Sequence, residues 1–245
     1  MKFVGIIPAR YESTRFPGKP LAIIKEKPMI QWVYENASKA LDEVFVATDD
    51  ERIFKAVEAF GGKVVYTLST HQSGTDRCAE AANKIAAHVD FDVVVNIQGD
   101  EPFIQTQQIE LLKSCFQSDA EIATLVKKID SSEELFNPNR PKVVIGTNNN
   151  ALYFSRLPIP FIRGTEEKDW LAKNTFWAHI GMYAFKADVL QKITKLKQGK
   201  LELAESLEQL RWLENDYKIK TAETQTQSIG IDTPDDLEAA LNLFN

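Results

Sequence analysis

Arg10, Arg15 and Lys19 crowd the stretch PARYESTRFPGK, residues 8–19, with only Glu12 to offset them. Guanidinium groups hold phosphate oxygens in two-point hydrogen bonds, and a lysine adds a mobile point charge. Cations packed this closely repel one another, so their spacing points to an anionic ligand, weighed evenly against a plain solvated loop. Gly18 lets the backbone turn closely around such a ligand, and Pro8 and Ala9 lead into it. Two familiar phosphate motifs are missing. No GxGxxG follows the first apolar run, and GKP is no P-loop, because Pro20 replaces its Ser or Thr and Ser13 its earlier glycine.

Other stretches carry chemistry of their own. In NIQGDEPFI, residues 96–104, an apolar run gives way to Gly99, two carboxylates and Pro102. That puts Asp100 at a strand's carboxyl edge, a position suited to a hard cation such as Mg²⁺. Gln98 offers an amide to a sugar or base, although a strand-ending turn explains the same residues without a ligand. HQSGTDR, residues 71–77, brings Gln72, Ser73, Gly74 and Arg77 to a helix start, where Ser73 or Thr75 would serve as N-cap. Its short side chains suit a pyrimidine better than a purine. Asp232, just before TPDD, reads first as a helix-start signal. His179 lies in an alternating strand and reads as a satisfied core histidine; His71 reads as shaping its loop and His88 as a surface or capping residue. Leu203, Leu207, Leu210 and Leu213 form the apolar stripe of one helix over 202–214, which leaves Glu208 and Gln209 facing solvent.

The elements that must position these residues alternate. KFVGII, EVFVAT (43–48), KVVY (63–66), DVVVNI (92–97) and IATLVKKI (122–129) read as strands. Residues 28–41, 50–60, 75–89 and 106–116 read as helices, with Pro28 in a first turn. This rhythm predicts an α/β fold, a mainly parallel sheet with helices on both faces, and ligands at the carboxyl ends of its strands. After about residue 135 the pattern changes to KVVIG, ALYFS and HIGMYAF among proline-containing loops, then helices near 186–197 and 202–214, YKIKTAE, and a last helix after Pro234. The expected organisation is one domain over 1–245: a nucleotide-binding part at 1–134, an insertion at 135–225, and a C-terminal helix at 226–245 returning to the core.

Composition narrows the class. A net charge of −6 over 245 residues argues against nucleic acid as a general partner. Cys78 and Cys115 form no CxxC pair, which fits a reducing cytoplasm. The five-residue apolar run Phe3–Ile7 is too short for a signal peptide, and no run is long enough to span a membrane.

Taken in order, IPARYESTRFPGKPL, VATDD, HQSGTDR, NIQGDEPFI, NPN, ALYFSRLPIPF, HIGMYAF, LELAESLEQLRWLE and GIDTPDDLE resemble the CMP-Kdo synthetases, the 3-deoxy-manno-octulosonate cytidylyltransferases, along essentially the whole chain. The resemblance implies a Rossmann-like nucleotidyltransferase fold with a substrate-binding and dimerisation insertion. It implies transfer of CMP from CTP to 3-deoxy-D-manno-octulosonate (Kdo) with release of pyrophosphate, for lipopolysaccharide synthesis in the cytoplasm, by a Mg²⁺-dependent homodimer. On the nucleotide side it implies Pro8, Ala9, Arg10, Arg15, Lys19, Gln72, Ser73, Gly74, Arg77 and Gln98; on the sugar side Gln98, Arg156, His179, Tyr183, Glu208 and Gln209. Asp100 and Asp232 would hold the metal and, with Arg10 and Lys19, support the chemistry. Two positions depart from the family pattern: Ala178, where a basic residue is usual, and Pro141, where an apolar residue usually precedes Lys142. The alternatives are a cytidylyltransferase for a related acid sugar (8-amino-Kdo or a sialic acid), a nicotinamide-dependent dehydrogenase, which the missing GxGxxG opposes, and a silent nucleotide-binding regulator.

Overall fold

β1 (Phe3–Ala9) carries a fully buried run, Val4–Ile7, straight to the cation-rich loop. The computed structural model describes residues 1–226 and 230–242, so 227–229 and 243–245 of the expected C-terminal segment lie outside the described residues. A hairpin of β2 (Ile23–Ile24) and β3 (Lys27–Pro28) leads to α1 (Met29–Ala37), β4 (Glu43–Thr48), α2 (Glu51–Ala59), β5 (Lys63–Tyr66), α3 (Gly74–Ile85), β6 (Val93–Asn96) and α4 (Thr106–Cys115). Next come β7 (Ile122–Lys128), α5 (Ser132–Phe136), β8 (Lys142–Ile145), β9 (Ala151–Ser155), α6 (Trp170–Lys173) and β10 (Trp177–Lys186). The chain closes with α7 (Ala187–Ile193), α8 (Lys200–Glu205), α9 (Gln209–Glu214), β11 (Ile219–Glu223) and α10 (Pro234–Asn242).

Two compact units form. The first holds Met1–Glu110, Ala184–Thr194 and Ser228–Asn245. In it β1 pairs in parallel with β4 and with β6, and β4 in parallel with β5. All four residues of β6 are buried, as strands covered on both faces require. A separate cluster of Ile24, Met29, Ile231 and Ala240 ties the segment before α10 to the hairpin after the cation-rich loop.

The second unit holds Leu111–Tyr183 and Lys195–Gln227. β7 pairs in parallel with β11, in the register Ile122↔Ile219, while β8 is antiparallel to β9 and β10. This pairing draws β7 into the second unit, which begins at Leu111 and not at the change of rhythm near 135. Ile129, Leu135, Trp170, Phe176 and Ala178 form one of its cores.

Two expectations need correction. Pro28 ends β3 as the N-cap of α1, with an extended ψ of 147°, and is not in the first turn. The single helix expected over 202–214 is two, α8 and α9, separated where Ser206 takes a left-handed φ of 51°. No regular helix runs through such a residue. The leucine stripe breaks with it: Leu203 is exposed, whereas Leu207 and Leu210 are buried. A buried ion pair joins the two pieces, Arg211 donating to Glu202 at 2.6 and 2.7 Å. No helix among the described residues is long and apolar enough to cross a membrane.

Candidate active site

Gly99 lies so close to the end of β1 that a Cβ there would stand 2.9 Å from the carbonyl oxygen of Pro8. Only glycine lets β6 run past β1 here and deliver Asp100 beside the loop. That loop is a folded turn. Gly18 donates its N–H to Tyr11 O at 2.8 Å from a left-handed φ of 72°, and the Arg52 guanidinium covers the Tyr11 ring. From the other end of the chain, Ile231 donates to Asp100 O at 2.9 Å and buries its side chain, which sets Asp232 next to Asp100.

The Lys19 ammonium joins the two carboxylates, 2.6 Å from Asp100 Oδ2 and 3.1 Å from Asp232 Oδ1. Arg15 reaches the second oxygen of Asp232 at 3.1 Å. Asp232 is not the helix cap. Thr233 and Asp236 cap α10 reciprocally, Asp236 N to Thr233 Oγ1 and Thr233 N to Asp236 Oδ2, which leaves the Asp232 side chain for the cleft. Two hard oxygen donors already converge on one cation, and Mg²⁺ commonly takes one or two protein carboxylates and completes its octahedron with water and phosphate. The pair fits that ion. Among the described residues no group of three or more His, Cys, Asp or Glu side chains gathers to hold a metal.

Every residue expected at the nucleotide lines one cleft of about 280 Å³ in the first unit: Pro8, Ala9, Arg10, Arg15, Lys19, Gln72–Gly74, Arg77 and Gln98, together with Asp100 and Asp232. Arg10 is exposed there and forms no ion pair with a described residue. Ser73 is the N-cap of α3 in a capping box with Asp76, so its hydroxyl is already engaged with the backbone. Arg77 is almost fully buried, donating to Thr67 Oγ1 at 2.6 Å and paired with Asp49 at 3.2 Å. Gln98 Nε2 lies 3.3 Å from Asn96 Oδ1.

Sequence reasoning missed Glu80. Its carboxylate, on α3, accepts from Leu68 N at 2.9 Å, pairs with Lys84 at 2.7 Å and grips His71 Nε2, so it fixes the loop that carries Gln72. Burial alone would raise this carboxyl, but the hydrogen bonds from Lys84, Leu68 and His71 bring it down to about 2. In the sequence, Glu80 and Lys84 look like an ordinary exposed i,i+4 pair.

The second unit holds the remaining expected residues. His179 Nε2 lies 3.0 Å from Thr124 Oγ1, and burial lowers the ring to about 3, which keeps it neutral. Its ring is 5.3 Å from Tyr183, which meets Trp212 edge-on at 5.0 Å. Burial, and then the nearby Glu208 carboxylate, push the Tyr183 hydroxyl well above its ordinary value. Gln209, expected in solvent, is buried at the start of α9, and its Nε2 has no hydrogen-bond partner among the described residues. Arg156 donates to three backbone carbonyls: Glu205 at 2.6 Å, Pro138 at 3.0 Å and Ser206 at 3.2 Å. At the two departures from the family pattern, Ala178 is buried against Phe176 and Trp170, and Pro141 accepts the His179 N–H at 2.8 Å.

A parallel α/β unit that gathers Arg10, Arg15 and Lys19 with a carboxylate pair at its strand ends has the architecture of a nucleotidyltransferase. Residues 4–219 match the Cytidylyltransferase family. The 3-deoxy-manno-octulosonate cytidylyltransferase of Parabacteroides distasonis is 61% identical over 246 residues, covering 98% of this chain and 97% of that protein. That of Phocaeicola vulgatus is 62% identical over 244 residues, covering 98% and 96%. The structure of CMP:2-keto-3-deoxy-manno-octonic acid synthetase complexed with CTP matches with a TM-score of 0.92 at 44% identity, covering 100% of this chain and 98% of that one. The chain belongs to the 3-deoxy-manno-octulosonate cytidylyltransferase family.

Proposed function

We infer that this enzyme transfers CMP from CTP to Kdo, giving CMP-Kdo and pyrophosphate, in the cytoplasm and toward lipopolysaccharide. The observation that carries the reading is the convergence of Arg10, Arg15 and Lys19 on the same cleft as Asp100 and Asp232. Near relatives carry the same activity in their names.

The reaction needs little covalent chemistry from the protein. The anomeric hydroxyl of Kdo attacks the α-phosphorus, and pyrophosphate leaves in line. Arg10, Arg15 and Lys19 hold the triphosphate and neutralise the leaving pyrophosphate. Gln72, Ser73 and Gly74 border the base and ribose, and Gln98 offers its amide in the same cleft. His179, Tyr183, Glu208 and Gln209 line the sugar site, where the open Gln209 amide donates to a sugar oxygen. Neutral His179 serves as a hydrogen-bonding group, not as a charge. Holding the two anions in register supplies much of the rate. Mg²⁺ on Asp100 and Asp232 would screen the α-phosphate and make the attacking hydroxyl easier to deprotonate. Pyrophosphate release from CTP, measured with and without Kdo, tests this reading; release that does not depend on Kdo refutes it.

A further inference from the structure

Lys142 in β8 is fully buried and forms no ion pair among the described residues. Its ammonium donates to Asn137 O at 2.9 Å and Arg140 O at 2.7 Å. Between those two carbonyls, Pro138 O accepts from Arg156. Two cations therefore grip one four-residue segment, 137–140, from its own backbone. Arg156 continues the connection to Glu205 O and Ser206 O, and the Glu205 carboxylate returns to Arg156 N and Ser155 Oγ. Ser206 is the left-handed break after which Glu208 and Gln209 follow. One hydrogen-bonded path thus runs from Lys142 through 137–140 and Arg156 to Ser206, the C-cap of α8, in the turn that leads to α9.

Burying an ammonium without a counter-charge is costly, and an apolar side chain of the same size would commonly be at least as stabilising. Burial, and then the neighbouring Arg156 guanidinium, lower the Lys142 ammonium to about 8, against the attraction of Glu205 on α8 and Glu134 on α5. An ammonium whose hydrogen bonds are aimed at two backbone carbonyls of one turn suits a directional task better than packing. We propose that Lys142 is a positioning residue for the acid sugar, whose buried ammonium fixes segment 137–140 so that Arg156 and Gln209 keep their sugar-binding geometry. This rests on the reading above that Gln209 faces Kdo, and on the sugar-side place that the family resemblance implies for Arg156.

The test compares wild type with Lys142→Met, an uncharged side chain of similar length. K142M should raise the KM for Kdo about tenfold and leave kcat and the KM for CTP within about twofold. In wild type the KM for Kdo should climb as pH rises through about 8, because the neutral amine holds the carbonyls less firmly, whereas K142M should be flat. Amide exchange over 137–140 should quicken in K142M without any substrate. A wild-type KM for Kdo in folded K142M, or the same pH climb in both proteins, overturns the proposal. If K142M does not fold, wild type alone decides: a KM for Kdo unchanged from about one unit below to one unit above that pKa overturns it. A wild-type enzyme that does not turn over Kdo refutes the proposed reaction instead. The exchange of 137–140 then decides whether Lys142 clamps the segment.

Discussion

Asp100 and Asp232 would repel each other but for the Lys19 ammonium between them. Changing either to asparagine keeps the size and removes one charge. Because Thr233 and Asp236 cap α10, Asp232→Asn should leave the fold intact while turnover falls by about two orders of magnitude or more. Melting temperature and pyrophosphate release on the same preparation check both halves. A protein that unfolds but keeps its activity per folded molecule would return Asp232 to a structural role. Arg15 is mostly exposed, so its pair with Asp232 adds little stability, and Arg15→Ala should weaken CTP about tenfold by calorimetry without lowering the melting temperature. Unchanged CTP affinity would give the loop another purpose. The cleft residues were legible because each carries its chemistry in a short, ordered stretch. Gln209 was not legible on pattern, because its burial depends on a helix break that no local signal announces.

The loop before α3 shows how an element can be held by one residue the sequence hides. Glu80 reaches back across Leu68, His71 and Lys84, so Glu80→Gln should free the stretch carrying Gln72 and raise the KM for CTP several-fold, roughly the loss of a charged hydrogen bond, with kcat little changed. Linkage gives an independent check. The folded carboxyl sits near 2, below its ordinary 4.5. Its contribution is therefore complete above the unfolded value and is lost as pH falls toward the folded one. The melting gap between wild type and E80Q should hold at neutral pH and close on acidification below about 4.5. A gap that does not depend on pH would sink the assignment. At this scale the strands were readable: EVFVAT and KVVY became β4 and β5 to the residue, because β-branched and aromatic residues favour a pleated strand even where, as in β5, they are only half-buried. The 202–214 break was not, since the carbonyl of the left-handed Ser206 is held by Arg156, a partner distant in sequence.

For the whole molecule, the aromatic-rich stretch 150–185 could serve as core or as interface, and the structure divides it. Phe154, Trp170, Phe176, Tyr183 and Phe185 are buried, which sequence alone could not separate from their exposed neighbours. Phe161 is 73% exposed and Leu157 70%, and Phe161 and the partly exposed Phe136 both pack on Trp170, with ring centroids 5.4 and 6.0 Å away. Apolar groups gathered around one buried ring suit a protein partner better than water. We propose that a second copy of this chain covers them, the homodimer that family resemblance implies. Light scattering at micromolar concentration should return about twice 27.7 kDa. Phe161→Asp should shift the mass toward the monomer while leaving the melting transition cooperative, because a residue this exposed contributes little to its own fold. A wild-type mass near 27.7 kDa refutes the dimer. A dimer that Phe161→Asp leaves intact moves its interface to another face of the second unit.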